Sequence, residues 1–193
     1  MQTSGKYLLA IFAAISLVAS LQFAMRSTVC TNCIASGRGV GALALGDTYS
    51  RMEEVWGTAE QIAPDEALLA ERQLLWAYYP KRGVSVAFSK SQGLFGHKYV
   101  VTHITLLDAG SYAPNITLEP VHFERFSGLI QGELGIGASR SEIDMQIGGL
   151  FLSDGDSNPE NDVFNCGRAG LAITYENDFV VRITVKPNRS EGC

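Results

Sequence analysis

The sequence predicts an α+β protein of two tandem repeats, each a helix packed on a small antiparallel sheet, after an N-terminal apolar helix. Three features predict it: a duplicated glycine-rich motif, strand-like alternation after each copy, and an uncharged stretch near the start. The predicted boundaries are 1–26 for a signal peptide or signal anchor, 27–108 for repeat 1, 109–125 for a connector and 126–193 for repeat 2.

The duplicated motif places residues 36–57 over residues 127–148 without a gap. Thr48 and Ser139 stand where a helix N-cap belongs, and a glycine follows the apolar pair of each copy. Each copy therefore predicts one short helix with an apolar stripe. The identical pairs are Ser36/Ser127, Gly37/Gly128, Gly41/Gly132, Leu43/Leu134, Gly46/Gly137, Ser50/Ser141 and Gly57/Gly148.

Apolar residues alternate after each helix. The stretch "GVSVAF" (83–88) corresponds to "GLAITY" (170–175), and "VTHITL" (101–106) corresponds to "VVRITV" (180–185). Alternation with a period of two is typical of a half-buried strand. The stretch "LLWAYYP" predicts a further strand in the first copy, and "SKSQGLFGHKY" makes the turn there longer than the "END" turn of the second copy. We therefore expect three or four antiparallel strands in each repeat.

The first 26 residues differ in kind from the rest of the chain. Residues 7–25 carry no charge, and nineteen helical residues can cross about 30 Å of hydrocarbon. The sequence "VAS" at 18–20 has the small residues that a signal peptidase needs. A membrane anchor and a cleaved signal are both open at this point. Either one places the remainder on the periplasmic or extracellular side, tethered through residues 7–25 or secreted.

The remainder of the chain is acidic. The formal net charge is −5, and beyond residue 26 there are 13 basic against 20 acidic side chains. An acidic body without a basic stripe argues against non-specific binding of nucleic acid. We therefore expect no nucleic-acid partner.

The four cysteines are Cys30, Cys33, Cys166 and Cys193, an even number that fits an exported protein. A structural zinc site needs two close pairs, and the second pair here is 27 residues apart. Disulfides are the simpler interpretation, above all one between Cys166 and Cys193.

Both copies share a spacing of glycines, aromatic residues and alternating apolar residues. In the first copy the pattern consists of Leu45, Gly46, Thr48, Gly57, Trp76, Tyr78, Gly83, Val86, Phe88, Val101 and Ile104. In the second copy it consists of Ile136, Gly137, Ser139, Gly148, Gly170, Ile173, Tyr175, Val180 and Ile183. This pattern resembles the BamE (SmpA/OmlA) lipoprotein domain and the β-lactamase-inhibitor-protein fold. The resemblance implies an exported protein that binds another protein and is not an enzyme, although Val29 before Cys30 departs from a lipid-attachment site.

One acidic stretch, "DGDSNPEND" at 154–162, has the alternating oxygen ligands of a calcium loop. Pro159 stands where that loop needs glycine, and Asn165 stands where it needs a bidentate glutamate. A solvated acidic loop is therefore the favoured interpretation, and we expect no cofactor. The metal-ligand candidates are Asp154, Asp156, Asn158, Glu160 and Asp162.

The outward face of the predicted strands is small and nearly uncharged, which suits contact with another protein. Arg182 and His103 are its candidate anchors. No nucleophile motif accompanies His103, so an enzyme is not expected. We predict an extracytoplasmic protein-binding module, such as an accessory factor of envelope assembly. A secreted inhibitor-like or calcium-dependent binding protein is the alternative. The partner-binding candidates are Ser85, Ala87, His103, Thr105, Ala172, Thr174, Arg182 and Thr184.

Overall fold

A computed structural model describes residues 32–64, 74–93, 96–111, 122–130, 134–148, 160–164 and 170–187. All of them belong to one unit, Thr31–Cys193. Its strands, in chain order, are β1 Ile34–Ala35, β2 Gly39–Val40, β3 Leu43–Ala44, β4 Gln61–Pro64, β5 Leu74–Tyr79, β6 Val84–Gly93, β7 Gly96–Leu107, β8 Leu129–Ile130, β9 Leu134–Gly135, β10 Asn161–Phe164, β11 Leu171–Glu176 and β12 Phe179–Val185.

These strands form two sheets. The larger sheet is antiparallel throughout, in the order β10-β11-β12-β7-β6-β5-β4. The smaller sheet has the order β3-β2-β1-β8-β9 and contains one parallel pair, in which Ile34 lies opposite Ile130. Apolar residues from both sheets fill one core cluster.

The helices are short and begin where the sequence predicts. Helix α1 spans Tyr49–Trp56, and the hydroxyl of Thr48 accepts a hydrogen bond from its third amide. Helix α2 spans Arg140–Ile143, starts with a capping box at Ser139 and continues as a π-helix over Asp144–Gly148. A 3₁₀ turn, Pro80–Arg82, links β5 to β6.

The predicted fold class is wrong, because the protein is mostly β and its described residues include two short helices rather than two helix-on-sheet layers. Strand β7 pairs with β12, from Ile104 opposite Val185 to Leu107 opposite Arg182, so strands of both halves join one sheet. Eight helical residues make about two turns, too little to cover such a sheet. The glycine-rich stretches form short strands of the smaller sheet, and Val40 from one of them is buried in the core.

Local contacts nevertheless match between the two halves. The amide of Gly46 donates to the carbonyl of Val101, and the amide of Gly137 donates to the carbonyl of Val180, both at 2.8 Å. The duplicated motif therefore holds each helix start against the same point of a hairpin. The predicted repeat boundaries stay a prediction.

Two further expectations need correction. The described part of the chain contains no helix that is both long and apolar enough to cross a membrane, and the stretch 7–25 that predicted one lies outside it. No disulfide joins two described cysteines, because Cys33 is the single cysteine among the described residues, and the predicted Cys166–Cys193 bridge lies outside them. Cys33 itself is disulfide-bonded.

Candidate functional site

The hairpin of β6 and β7 continues beyond the described part of its neighbouring strands, and we call its outer part, residues 89–93 and 96–100, the hairpin arm. Among the described residues, the pairing of β5 with β6 ends at Ser89, whereas the two strands of the arm pair with each other as far as Gly93 opposite Gly96. At about 3.3 Å per residue, the arm extends roughly 13 Å past the last described pairing with β5.

Most side chains of the hairpin arm are exposed, namely those of Lys90, Gln92, His97, Lys98 and Tyr99. The register places Lys98 on one face and the other four on the opposite face. Residues 84–107 contain no acidic side chain, although the whole chain has a net charge of −5. The arm is therefore a locally positive element of a negative protein.

The outer edges of the hairpin arm carry backbone groups that can still form hydrogen bonds. Of the strands that the structure describes, none pairs with the outer edges at residues 90–93 and 96–99. An unpaired edge is a template for another strand, and lysines on an edge oppose pairing with a like-charged copy. The edges are thus suited to a strand of different charge.

The root of the hairpin arm is fixed in the core. Phe88 and Val101 are buried, and the ring of Phe88 lies 5.4 Å from the ring of Tyr49 in α1. The register shifts between Ala87 and Phe88, where the hydroxyl of Thr102 donates to the carbonyl of Ala87 at 3.1 Å. Such a bulge twists the strands and changes their direction, so the root determines where the arm points.

The hairpin of β11 and β12 serves as an internal reference. Its turn residues Asn177 and Asp178 have φ angles of 51° and 65°, as a tight type I′ turn requires. Four residues separate its buried root positions, Tyr175 and Val180, whereas twelve separate those of the first hairpin. Sequence reasoning treated the additional residues as a longer turn. The difference in length between the copies was the signal that could have identified an arm.

The predicted partner-binding face is only partly open. Ser85, Ala87 and Thr105 are buried, and Ser85 is 0% exposed. Ser85 and Ala87 lie opposite Tyr78 and Trp76 in the neighbouring strand, and these large rings shield them. The prediction of a binding face stays a prediction, and its accessible part lies on β7, β11 and β12. The half-buried members are His103, Ala172, Thr174, Arg182 and Thr184.

Two polar members of this face have unusual surroundings. Burial lowers the pKa of His103, and the positive charge of Lys186 lowers it further, so the imidazole is neutral at pH 7. The Nε of Arg182 is buried and makes no hydrogen bond to the part of the protein that the structure describes. Neither observation assigns a catalytic role to the face.

The predicted calcium ligands are only partly within reach of the structure. Asp154, Asp156 and Asn158 lie outside the described residues, whereas Glu160 and Asp162 are described. The carboxylate of Asp162 accepts a hydrogen bond of 3.0 Å from the guanidinium of Arg140. Within the described ranges, no three His, Cys, Asp or Glu side chains are grouped to hold a metal ion.

Sequence reasoning missed a polar cluster in the second half, which we call the Arg140 cluster. The guanidinium of Arg140 lies 4.4 Å from the ring centre of Tyr175 and donates a hydrogen bond to the carboxylate of Asp162. Burial raises the pKa of the Tyr175 hydroxyl, and the nearby Asp162 carboxylate raises it further. The corresponding residues of the first half, Tyr49 and Phe88, form an uncharged aromatic pair. A position-by-position comparison of the two copies would have shown that charged and polar residues replace an aromatic pair here.

No family model, no curated protein and no solved structure matches the chain. The resemblance to the BamE domain and to the β-lactamase-inhibitor-protein fold therefore stays a prediction. The functional argument rests on the geometry of the hairpin arm.

Proposed function

We propose that the protein is an exported protein-binding module and that the hairpin arm contacts its partner. The observation that carries the proposal is the eight-residue lengthening of the first hairpin relative to the second. Both hairpins have buried roots, and both have a register shift at the corresponding position. The core is therefore complete with a short hairpin, and packing does not explain the greater length of the first one. Export is supported by the uncharged stretch 7–25 and by the even number of cysteines.

The partner that this arm fits is an extended protein segment with acidic side chains. Its backbone would add a strand to an outer edge of the arm, and each backbone hydrogen bond contributes about 0.5–1.5 kcal/mol. Its carboxylates would lie beside Lys90 and Lys98, which face opposite sides of the arm. Because Phe88 and Val101 hold the root, little ordering of the arm opposes binding.

Site-specific photo-crosslinking in cells that produce the protein tests the proposal. A photoreactive amino acid replaces Gln92 in the hairpin arm, and the matched control places it at Glu176 in the short hairpin, since both positions are exposed near a strand end. We expect a specific crosslinked protein from position 92 and none from position 176. The variant with Lys90→Glu and Lys98→Glu should lose that product.

Two outcomes would contradict the proposal. Equal crosslinking from both hairpins would show that the lengthened arm has no special contact. A product that persists after both charge reversals would show that the acidic character of the partner is wrong.

A further inference from the structure

A pocket of about 220 Å³ lies beside the 3₁₀ turn, away from the hairpin arm in sequence. Lys81 and Arg82 of that turn line it, together with Arg125. No acidic side chain is among the described residues that line it. The pocket is therefore positive, in a protein whose net charge is negative.

The three cations are only partly neutralised by their surroundings. Arg125 uses Nε and Nη2 for Asp108, at 2.6 and 3.2 Å, which leaves its Nη1 for another acceptor. Lys81 is 3.7 Å from Glu60, with 78% of its side chain exposed, so this pair is weak. Arg82 forms no ion pair with a described residue. One guanidinium is thus free to bind an anion.

One part of the pocket wall is apolar, whereas most of the accessible lining is polar. Val84 and Phe126 are buried, and the half-buried ring of Trp56 meets Tyr79 edge to face at 5.6 Å. The hydroxyl of Tyr79 donates to the carbonyl of Gly57 at 2.7 Å and so fixes the ring that supports Trp56. A rigid apolar wall beside cations suits a ligand with both an anionic group and a small apolar body.

One hydroxyl adds a directed donor. Ser127 lines the pocket, and its oxygen accepts a hydrogen bond of 3.2 Å from the amide of Asn32. The hydroxyl proton therefore remains for a ligand oxygen.

We propose that this pocket binds a small organic anion. Arg82 and the hydroxyl of Ser127 hold its carboxylate or phosphate group, and the apolar body lies against Trp56 and Phe126. The site is independent of the hairpin arm, so either proposal can fail without the other.

Titration of the full-length ¹⁵N-labelled protein with phenyl phosphate tests the pocket by NMR. The chain has two tryptophans. Trp56 lines the pocket, whereas Trp76 lies on the opposite face of the large sheet, beside Tyr78. We expect the indole signal of Trp56 to shift and saturate while that of Trp76 stays in place. Trp76→Phe assigns the two signals.

Charge variants identify the group that binds the anion. Arg82→Gln should raise the Kd about tenfold, because a hydrogen bond to a charged group is lost. Arg51→Gln removes the same charge from an exposed side chain paired with Glu54 outside the pocket, and should leave the Kd unchanged.

The proposal is overturned if Trp56 shows no saturable shift or if both variants change the Kd equally. Phenol binding as tightly as phenyl phosphate would show that the cations do not select the ligand. Inorganic phosphate binding equally tightly would show that the apolar wall takes no part.

Discussion

Replacing Tyr175 by phenylalanine should stabilise the protein. The Tyr175 hydroxyl is buried, and no described residue meets it with full hydrogen-bond geometry, although the Asp162 carboxylate lies near enough to raise its pKa. This geometry leaves the hydroxyl unsatisfied, and burying an unsatisfied hydroxyl costs about 1–3 kcal/mol. The variant keeps the aromatic ring and therefore its contact with Arg140 at 4.4 Å. The corresponding position of the first half is already phenylalanine, Phe88. We expect the free energy of unfolding to rise by about 1 kcal/mol, or roughly 2–4 °C in Tm for a chain of this size.

Urea unfolding followed by circular dichroism measures this change, provided that the dependence on urea keeps the same slope. The reciprocal variant Phe88→Tyr is the control, and it should lose about 1–3 kcal/mol because it brings a hydroxyl into an apolar root. Tyr175→Phe would refute the reasoning if it lost about 1 kcal/mol. The hydroxyl would then donate to Asp162 in solution and contribute to stability.

Three other predictions concern stability. Alanine variants of Arg140 and Asp162 should show a coupling free energy of about 1–3 kcal/mol in a double-mutant cycle, because these side chains are only 24% and 15% exposed. The prediction is wrong if the losses of stability in the two single variants simply add up in the double variant. Gly83→Ala should destabilise more than Gly46→Ala in urea unfolding. Both glycines have positive φ, but a Cβ at Gly83 meets the backbone of 124–126 and one at Gly46 meets open space, so equal losses would argue against that packing. The pKa of His103 is lowered in the folded state. As the pH falls through the ordinary value of 6.5, this imidazole is therefore protonated in the unfolded state before it is protonated in the folded state. Stability should therefore fall from about pH 7 to 5, and less so in His103→Gln; an unchanged pH dependence would contradict the buried imidazole.

The helix starts were predictable because neighbouring residues determine them. A hydroxyl at Thr48 or Ser139 satisfies amides within three residues, and this signal is local in the sequence. The pairing of β7 with β12 joins residues about 80 positions apart and depends on packing of the whole core, so no local pattern shows it. It nevertheless decides that the strands of both halves form one seven-stranded sheet rather than two separate small sheets.

Site prediction from the sequence had a similar limit. Alternation correctly placed Ser85 and Ala87 on the face opposite Val86, but alternation does not tell whether a face is open. The rings of Tyr78 and Trp76 bury them. The two lysines of the hairpin arm and its length were visible in the sequence, whereas its continuous strand pairing was not.

Binding by the hairpin arm is tested most directly by the affinity of the purified protein for the partner identified by crosslinking. Lys90→Glu with Lys98→Glu should raise the Kd about tenfold or more, because each exposed ion pair contributes up to about 1 kcal/mol and reversal adds repulsion. The matched control, Arg38→Glu with Arg51→Glu, changes two exposed arginines outside the arm and should leave the Kd unchanged. Both double variants should unfold at the temperature of the unaltered protein. An arm variant that binds as tightly as the unaltered protein would contradict the account.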